Sequence, residues 1–552
     1  MPNGTHTKII GQLSALMSVY AVSPQKRLAV AIFSSFAGLA GAGGFDLPTI
    51  TASQQGTSNA NGAEASDPSV IYYNPAGLAR MKSGLQVSQG FSALVLNGKV
   101  AVDADGTRGT PGMDEHDGRT LADQPPTDGE AGSFWPRIIA AGGLFVSLPV
   151  DDMVTAGIGV FAPGGGNINY KSDWSGAFQI DNIALEFINV NPSIGIRFDD
   201  KHSLGFGVST LVGHVRQKAQ IGVQDVAPYL LRDAVNDGAL DVASLPLGGV
   251  IDTACGGLSP ALCYRTTADL LISPDSRASV KVEMYGYGFG WNVGYLFAPT
   301  DTTRMGLAYR SESKLKMRGD LDWDFSQVKG TSLYDSTLMM ALGSLDEYLS
   351  NNLHPDATAK GDIVIPARGS ANIFHQLNNK IDLMADFTFI QSSVIDKITV
   401  QFLDVKKGDK TIKQGDGGIT ANWRDSYKVS VGGNYRHDDK LMLRSGFQYD
   451  KTPIPSAEYR HPGAPDSDRY MFSIGANYKV KKGLTVDAAY SLVLLADSES
   501  NYRDTCRATS KEDADGNFDE NGAACTSNGG TFKGRFYDTS IHVLSAQINQ
   551  RF

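Results

Sequence analysis

The chain has no run of about 18 or more apolar residues beyond residue 45, which excludes a bundle of membrane-spanning helices. Cysteine is scarce, four in 552 residues, and none stands in C-x-x-C spacing, so a zinc ribbon or a dithiol redox centre has no ligand set. The nine histidines form no H-x-x-x-H or related ligand pair. No G-x-S-x-G elbow occurs, and the glycine cluster at 286–294 lacks G-x-G-x-x-G spacing and a following helix. Positive charge is short as well: 49 Lys and Arg against 59 Asp and Glu leave a net charge of −10. A surface of that sign does not neutralise phosphates, so no nucleic-acid partner is expected. No cofactor, no catalytic nucleophile and no His/Cys metal site has a candidate.

What the sequence does have begins with an apolar run over 28–42, preceded by Lys26 and Arg27 and ending in Ala40-Gly41-Ala42. Basic residues, a short apolar core and small residues at the end are the marks of a secretory signal peptide over 1–42. Its start is Met1 or Met17. Cleavage after Ala42 removes Lys8, Lys26 and Arg27 and no acid, so three positive charges are lost and −10 becomes −13. Export makes disulfides possible, and the cysteines fall into two near pairs, Cys255 with Cys263 and Cys506 with Cys525. Of the three possible connectivities, pairing by proximity is preferred, with free loop thiols as the alternative.

Period-two alternation dominates the rest. In 381–389, Ile381, Leu383, Ala385, Phe387 and Phe389 share one face, and Asp382, Met384, Asp386 and Thr388 the other. In 484–494, Val486, Ala488, Tyr490 and Leu492 oppose Thr485, Asp487 and Ser491. Fourteen such strands are readable, starting near 84, 137, 152, 186, 202, 279, 302, 363, 379, 425, 439, 468, 483 and 538. Their connections alternate between tight polar turns, such as Asp199-Asp200-Lys201 and His437-Asp438-Asp439, and long loops. A soluble sandwich would also alternate. Short turns on one side and long loops on the other, with an even strand number, point instead to an all-β transmembrane barrel over 84–552. Lipid offers no hydrogen bonds to a strand edge, so such a sheet must close on itself.

Residues 43–83 do not read as strand. Gly, Ala, Ser and Asn dominate, and Asp67-Pro68 and Asn74-Pro75 interrupt the segment. Within and after it lie Gly43-Gly44-Phe45, then 65–78 with Asn74-Pro75-Ala76, Asp173-Trp174-Ser175-Gly176, Asn189-Val190-Asn191-Pro192, and 286–292. Tyr309 to Lys314, Asn422-Trp423-Arg424-Asp425, Pro453-Ile454-Pro455 and 465–470 follow in order. In these motifs the chain resembles the FadL/TodX family of outer-membrane transporters of hydrophobic compounds, over nearly the whole mature length. The resemblance implies a fourteen-stranded barrel in the Gram-negative outer membrane, plugged by a hatch over 43–83. It implies passive transport of long-chain fatty acids or similar hydrophobic molecules, captured at the outer loops, bound in the lumen and released sideways at a kinked third strand. Gly157, Gly159, Pro163 and Gly164 are the candidates for that kink.

Among possible contact residues, Arg310, Glu312, Lys314, Lys316 and Arg318 share one parity, opposite Met305, Leu307, Tyr309, Leu315 and Met317. Charges facing lipid cost about 2–4 kcal/mol at the midplane, so the charged parity is expected to face the lumen. Arg310 and Lys314, with Glu312 between them, are candidates to hold a carboxylate, and Phe45 to touch the chain; a structural lumen network is the alternative. Asn74, Pro75 and Ala76 are expected to shape a turn of the hatch. Aromatic or alkane uptake and a surface receptor or adhesin barrel remain as other readings. Expected partners are the transported molecules, outer-membrane lipid or lipopolysaccharide and, through terminal Phe552, the barrel assembly machinery, with the protein itself a monomer. Loops 222–278 and 498–535 are enlarged. Residues 513–519 resemble a calcium loop but have Ala524 where the bidentate Glu belongs.

Overall fold

A computed structural model describes residues 50–81, 84–103, 107, 138–170, 174–222, 270–273, 276–337, 344–352, 354–408, 410–412, 416–503 and 531–552. Phe45, residues 1–42 where a signal peptide is expected, all four cysteines and 513–519 lie outside the described residues. Fourteen antiparallel strands form one closed sheet. They are β1 (Gln86–Val102), β2 (Ile138–Pro149), β3 (Val154–Phe161, resuming at Gly165–Asn169), β4 (Asn182–Arg197), β5 (His202–Gly222) and β6 (Arg277–Thr300). Then come β7 (Thr303–Arg310, resuming at Ser313–Asp324), β8 (Ala357–Ile365, then Arg368–Gln376), β9 (Ile381–Ile390, then Lys397–Phe402) and β10 (Asp416–Thr420, then Ser426–Arg436). The set ends with β11 (Leu441–Asp450), β12 (Arg469–Lys481), β13 (Leu484–Leu495, then Ser498–Arg503) and β14 (Thr531–Arg551). Each strand pairs with the next, and β14 pairs back onto β1 with Leu544 opposite Ala93, so the barrel has no free edge at its seam.

The tight turns are built alike. Asp199 Oδ1 accepts from the amides of Lys201 and His202, both at 2.7 Å, and Asp438 Oδ1 from Lys440 and Leu441, both at 2.8 Å. Asp151 and Asn378 do the same in their turns. A short side chain that accepts from the amides two and three residues on fixes the reversal locally. The Lys481–Gly483 turn uses glycine instead, with Gly483 at φ 81°, in the left-handed region.

Alternation sets the two faces. Ile474 is 63% exposed and Leu544 60%, while Ser473 and Ser545 beside them are 4% and 7% exposed. Apolar outside and polar inside is stable only where hydrocarbon wets the outside. Higher up the wall the two faces exchange character. On β5 the outward residues run Leu204, Phe206, Val208, then His214, Arg216, Lys218; the inward ones run Ser203, Ser209, then Leu211 and Val215. Above the membrane water wets the outside and the lumen becomes apolar, with Phe187, Leu211, Val215, Met284, Leu315 and Met317 in one cluster.

This exchange explains where the strands begin earlier than alternation indicated. Starts expected near 186, 363, 425 and 538 are found at Asn182, Ala357, Asp416 and Thr531. Those outer ends carry polar residues outward, so the apolar stripe that marks the membrane is missing there. It also corrects the charged column of β7. Asn292 of β6 faces Arg310, and Tyr287 faces Lys316, so β7 holds one residue more than β6 over this stretch. Such a bulge, at Ser311–Glu312, reverses parity. Arg310 points into the lumen; Glu312 and Lys314 are exposed on the outside, and Leu315 and Met317 are buried inside.

Candidate functional site

Three features meet in the lumen: a seated plug, a cavity above it and a break in the wall. Residues 50–81 form two one-turn helices, Ala52–Gln55 and Val70–Tyr73, and a 3-10 turn, Pro75–Arg80. Helices this short have little stability alone, so wall contacts must hold them. Ser53 and Gln55 bond to Gln547 and Val543 of β14, Ser58 to Ser473 of β12, and Asn59 to Gln448 of β11. Glu64 accepts from Asn434 of β10 at 3.0 Å, and Arg304 of β7 donates to the carbonyls of Ala63 and Glu64 at 3.0 and 2.8 Å. Arg80 reaches the Asp200 carbonyl of a turn at 2.7 Å.

Asn74 ties the plug to itself and to two wall strands. Its Oδ1 accepts from the Ala76 amide at 3.1 Å, which caps the Pro75–Arg80 turn. Its Nδ2 donates to the carbonyls of Tyr295 on β6, at 3.2 Å, and Leu307 on β7, at 3.4 Å. The approach is possible because the wall is bare there. A Cβ on Gly294 or Gly306 would meet the Asn74 side chain, and one on Gly205 the Pro75 backbone. Ala76 packs with Leu296 and Phe374 below the turn.

Above the plug lies a cavity of about 1700 Å³ including its mouth. Its walls include Leu94, Ile168, Ile183, Leu185, Leu211 and Ile541; Arg310, Arg368, Lys428 and Asp450 stand at its floor. The three cations also line a second pocket of about 680 Å³ that reaches Tyr72, Tyr73 and Asp386, so they mark the boundary between upper and lower lumen. Arg310 donates to Ser209 Oγ at 2.9 Å, Asn191 Oδ1 at 3.2 Å and the Tyr72 carbonyl at 3.2 Å. Among the described residues its Nε is buried and has no hydrogen-bond partner. Arg368 lies over the Tyr72 ring, 4.5 Å from its centroid, and Lys428 stands 3.5 Å from Asp450.

The break is in β3. Val154–Phe161 pairs with both neighbours, Phe161 facing Gly143 of β2 and Asn189 of β4. After Ala162, Pro163 and Gly164 the strand resumes, and among the described residues Gly165–Asn169 pairs only with β4. Ile138–Gly142 of β2 likewise pairs only with β1. Two strand segments thus lack a ladder toward each other, beside the cavity that Pro163 and Gly166 line. Pro163 brings no amide to a ladder. Gly157 and Gly159 do not sit at the break; they pair on both sides, and inward Cβ atoms there would meet Ile71 and the Phe145 ring. Beneath the break Phe145 stacks on Phe161, and Tyr72 meets Phe161 edge to face.

The closed fourteen-stranded wall is shared with known proteins. The sequence profile of the outer membrane transport proteins described as OMPP1/FadL/TodX matches residues 33–552. The chain belongs to the OMPP1/FadL/TodX family. An outer membrane protein of Neisseria meningitidis serogroup B is 28% identical over 476 residues, 85% of this chain and 89% of the relative. The long-chain fatty acid transport protein of Escherichia coli K12 is 23% identical over 349 residues, 62% of this chain and 68% of the relative. The crystal structure of a Pseudomonas aeruginosa FadL homologue superposes with a TM-score of 0.66 at 22% identity, covering 92% of this chain and all of the other. The Pseudomonas putida toluene transporter TodX gives 0.57 at 15% identity, covering 93% and 99%. As a member of the OMPP1/FadL/TodX family, the protein is a transport barrel of the Gram-negative outer membrane and not an enzyme.

Of the residues singled out by sequence, Arg310 and Pro75 line the lower pocket, while Asn74 and Ala76 lie in the turn on either side of Pro75. Glu312 and Lys314 do not join them: Lys314 binds Asp362 of β8 outside the barrel, at 2.8 Å. Arg368 and Lys428 escaped notice because each stands alone in its stretch of sequence; only closure of the sheet brings them to Arg310.

Proposed function

We propose that the protein carries long-chain fatty acids or closely related amphiphiles passively, from outer loops to upper lumen and then sideways through the break in β3. The observation that carries this reading is the floor of the apolar cavity, where Arg310, Arg368 and Lys428 gather. An alkyl chain gains about 25 cal/mol per Å² of surface withdrawn from water, and the cavity supplies the apolar wall for it. A carboxylate would accept a charge-assisted hydrogen bond from the buried Arg310 Nε, a donor otherwise left orphaned at a cost of about 1–3 kcal/mol. Below the floor the lumen is polar and plugged, so the chain's lowest-cost exit is beside Pro163 and Gly164. Nucleotide plays no part, since apolar sites in succession provide the gradient's path. The Escherichia coli relative's fatty-acid name and the long apolar pocket point the same way.

Neutral aromatic uptake is the rival reading. It is favoured by the bonds that Arg310 already makes to Ser209, Asn191 and Tyr72, which leave it little free capacity, and by the likeness to TodX. Uptake of labelled oleate and of toluene by cells with and without the protein separates the two. Oleate uptake that depends on the protein, with oleate affinity of purified Arg310→Met protein reduced about tenfold or more, is the expected result. Protein-dependent uptake of toluene alone, with oleate ignored, would reject fatty acids as the cargo.

A further inference from the structure

The outward face of β6, β7 and β8 carries a second recognisable chemistry. Tyr285, Tyr287, Phe289 and Trp291 form an outward column on β6, all exposed, continued below on β7 by Tyr309, Leu307 and Met305. Residues directly opposite in an antiparallel ladder share a face. Tyr287 is opposite Lys316, Tyr285 is opposite Arg318, and Arg318 is in turn opposite Lys360. All three cations are exposed on the outside of the barrel. They stand about a dozen residues above the inner turn at Thr303. At roughly 3.3 Å per residue and a tilt of about 40°, that is some 30 Å, just above an apolar band of about 25 Å.

Several other cations at the same end of the barrel are held in ion pairs. Lys99 is held by Asp538 and Lys533 by Asp103, each at 2.8 Å, and Arg535 is held by Asp497. Lys314 takes Asp362, and Lys281 takes Glu283 at 2.7 Å. Glu186 and Glu283 are both bonded to His214, whose ring stacks on Tyr285. Among the described residues, no carboxylate stands within ion-pair distance of Lys316, Arg318 or Lys360; Asp362, opposite Lys316, is taken by Lys314, and Asp320 and Glu312 are neighbours along β7 without reaching them. Three cations in adjacent positions, none of them held in an ion pair, stand over aromatic rings at the top of the apolar band and match an anionic headgroup whose acyl chains lie against those rings.

We infer that this face binds the phosphorylated glycolipid of the outer leaflet, with Lys316, Arg318 and Lys360 on its phosphates and Tyr287, Phe289 and Trp291 against its chains. The inference does not depend on which molecule is transported. It is tested on the purified full-length barrel in nanodiscs, by measuring binding of bisphosphorylated lipid A, the same lipid without phosphates, and inorganic pyrophosphate. Lipid A should bind in a salt-sensitive way. The triple variant Lys316→Gln, Arg318→Gln, Lys360→Gln should bind it roughly ten- to a hundredfold more weakly. The charge-keeping variant Lys316→Arg, Arg318→Lys, Lys360→Arg should bind as the parent does, and it guards against a folding defect. Parent-like binding by the neutral triple variant, or equal binding of the dephosphorylated lipid, would overturn the inference. Pyrophosphate bound as tightly as lipid A would show an anion site and reject the lipid as occupant.

Discussion

Arg444 of the wall and Glu64 of the plug form an ion pair 3.1 Å long, with both side chains almost wholly buried. Arg444 also stands 3.4 Å from Asp487 of β13, so one guanidinium serves two carboxylates. Removing one partner of a buried pair costs about 3–5 kcal/mol, because the remaining charge is left without compensation. Arg444→Met should therefore loosen the plug while the barrel stays closed, since the strand ladders use the Arg444 backbone and not its side chain. Planar-bilayer recordings should show ion conductance well above that of the parent. Unchanged conductance would mean that the other plug contacts suffice.

Asn74→Ala removes one acceptor and two donors from a position buried between plug and wall. At about 1 kcal/mol for each hydrogen bond lost, with two wall carbonyls left unpaired toward the plug, the turn should shift. Uptake should fall several-fold while the amount of heat-modifiable barrel in the membrane stays level. Equal loss of both would make the motif a folding element.

Pro163→Val combined with Gly164→Thr supplies an amide and β-branched side chains where the β3 ladder lapses. If cargo leaves there, the repaired strand should slow uptake about tenfold or more and leave equilibrium binding to purified protein unchanged. Slower uptake with weaker binding would place these residues in the pocket instead.

Asp438 responds to acid in a defined direction. The amides of Lys440, first, and Leu441 hold its carboxyl below the ordinary 3.8. A lowered folded-state value contributes stability that is complete above 3.8 and is lost as pH falls through the lower folded value. The Leu441 amide shift should move only in that acid range. Asp438→Asn should abolish the movement and keep the turn, as Asn378 does in its own turn with bonds of 2.8 and 3.0 Å. Movement near neutral pH would point to a different titrating group.

The membrane-embedded part of the barrel was legible because hydrocarbon imposes one rule on every strand: Leu383, Phe387 and Phe389 outward, Asp382 and Met384 inward. The turns were legible because Asp199 and Asp438 carry the side chain that closes them. Above the membrane the rule lapses. Leu315 and Met317 look like lipid-facing residues only if β7 is read without its bulge, and Ser311-Glu312 carries no glycine or proline to announce one. Lys314 was misplaced for that reason. Arg368 and Lys428 could be joined to Arg310 only through the order of strands around the sheet.

The exchange of inward residues on β5, from Leu211 and Val215 down to Ser209 and Ser203, has a consequence for any oily traveller. Descending the bore, it quits a dry chamber and meets a wet floor lined with serine, asparagine and charge, so the straight way down is uphill in solvation. On the proposed route the tube works as a one-storey shaft whose door is the gap in the wall at β3.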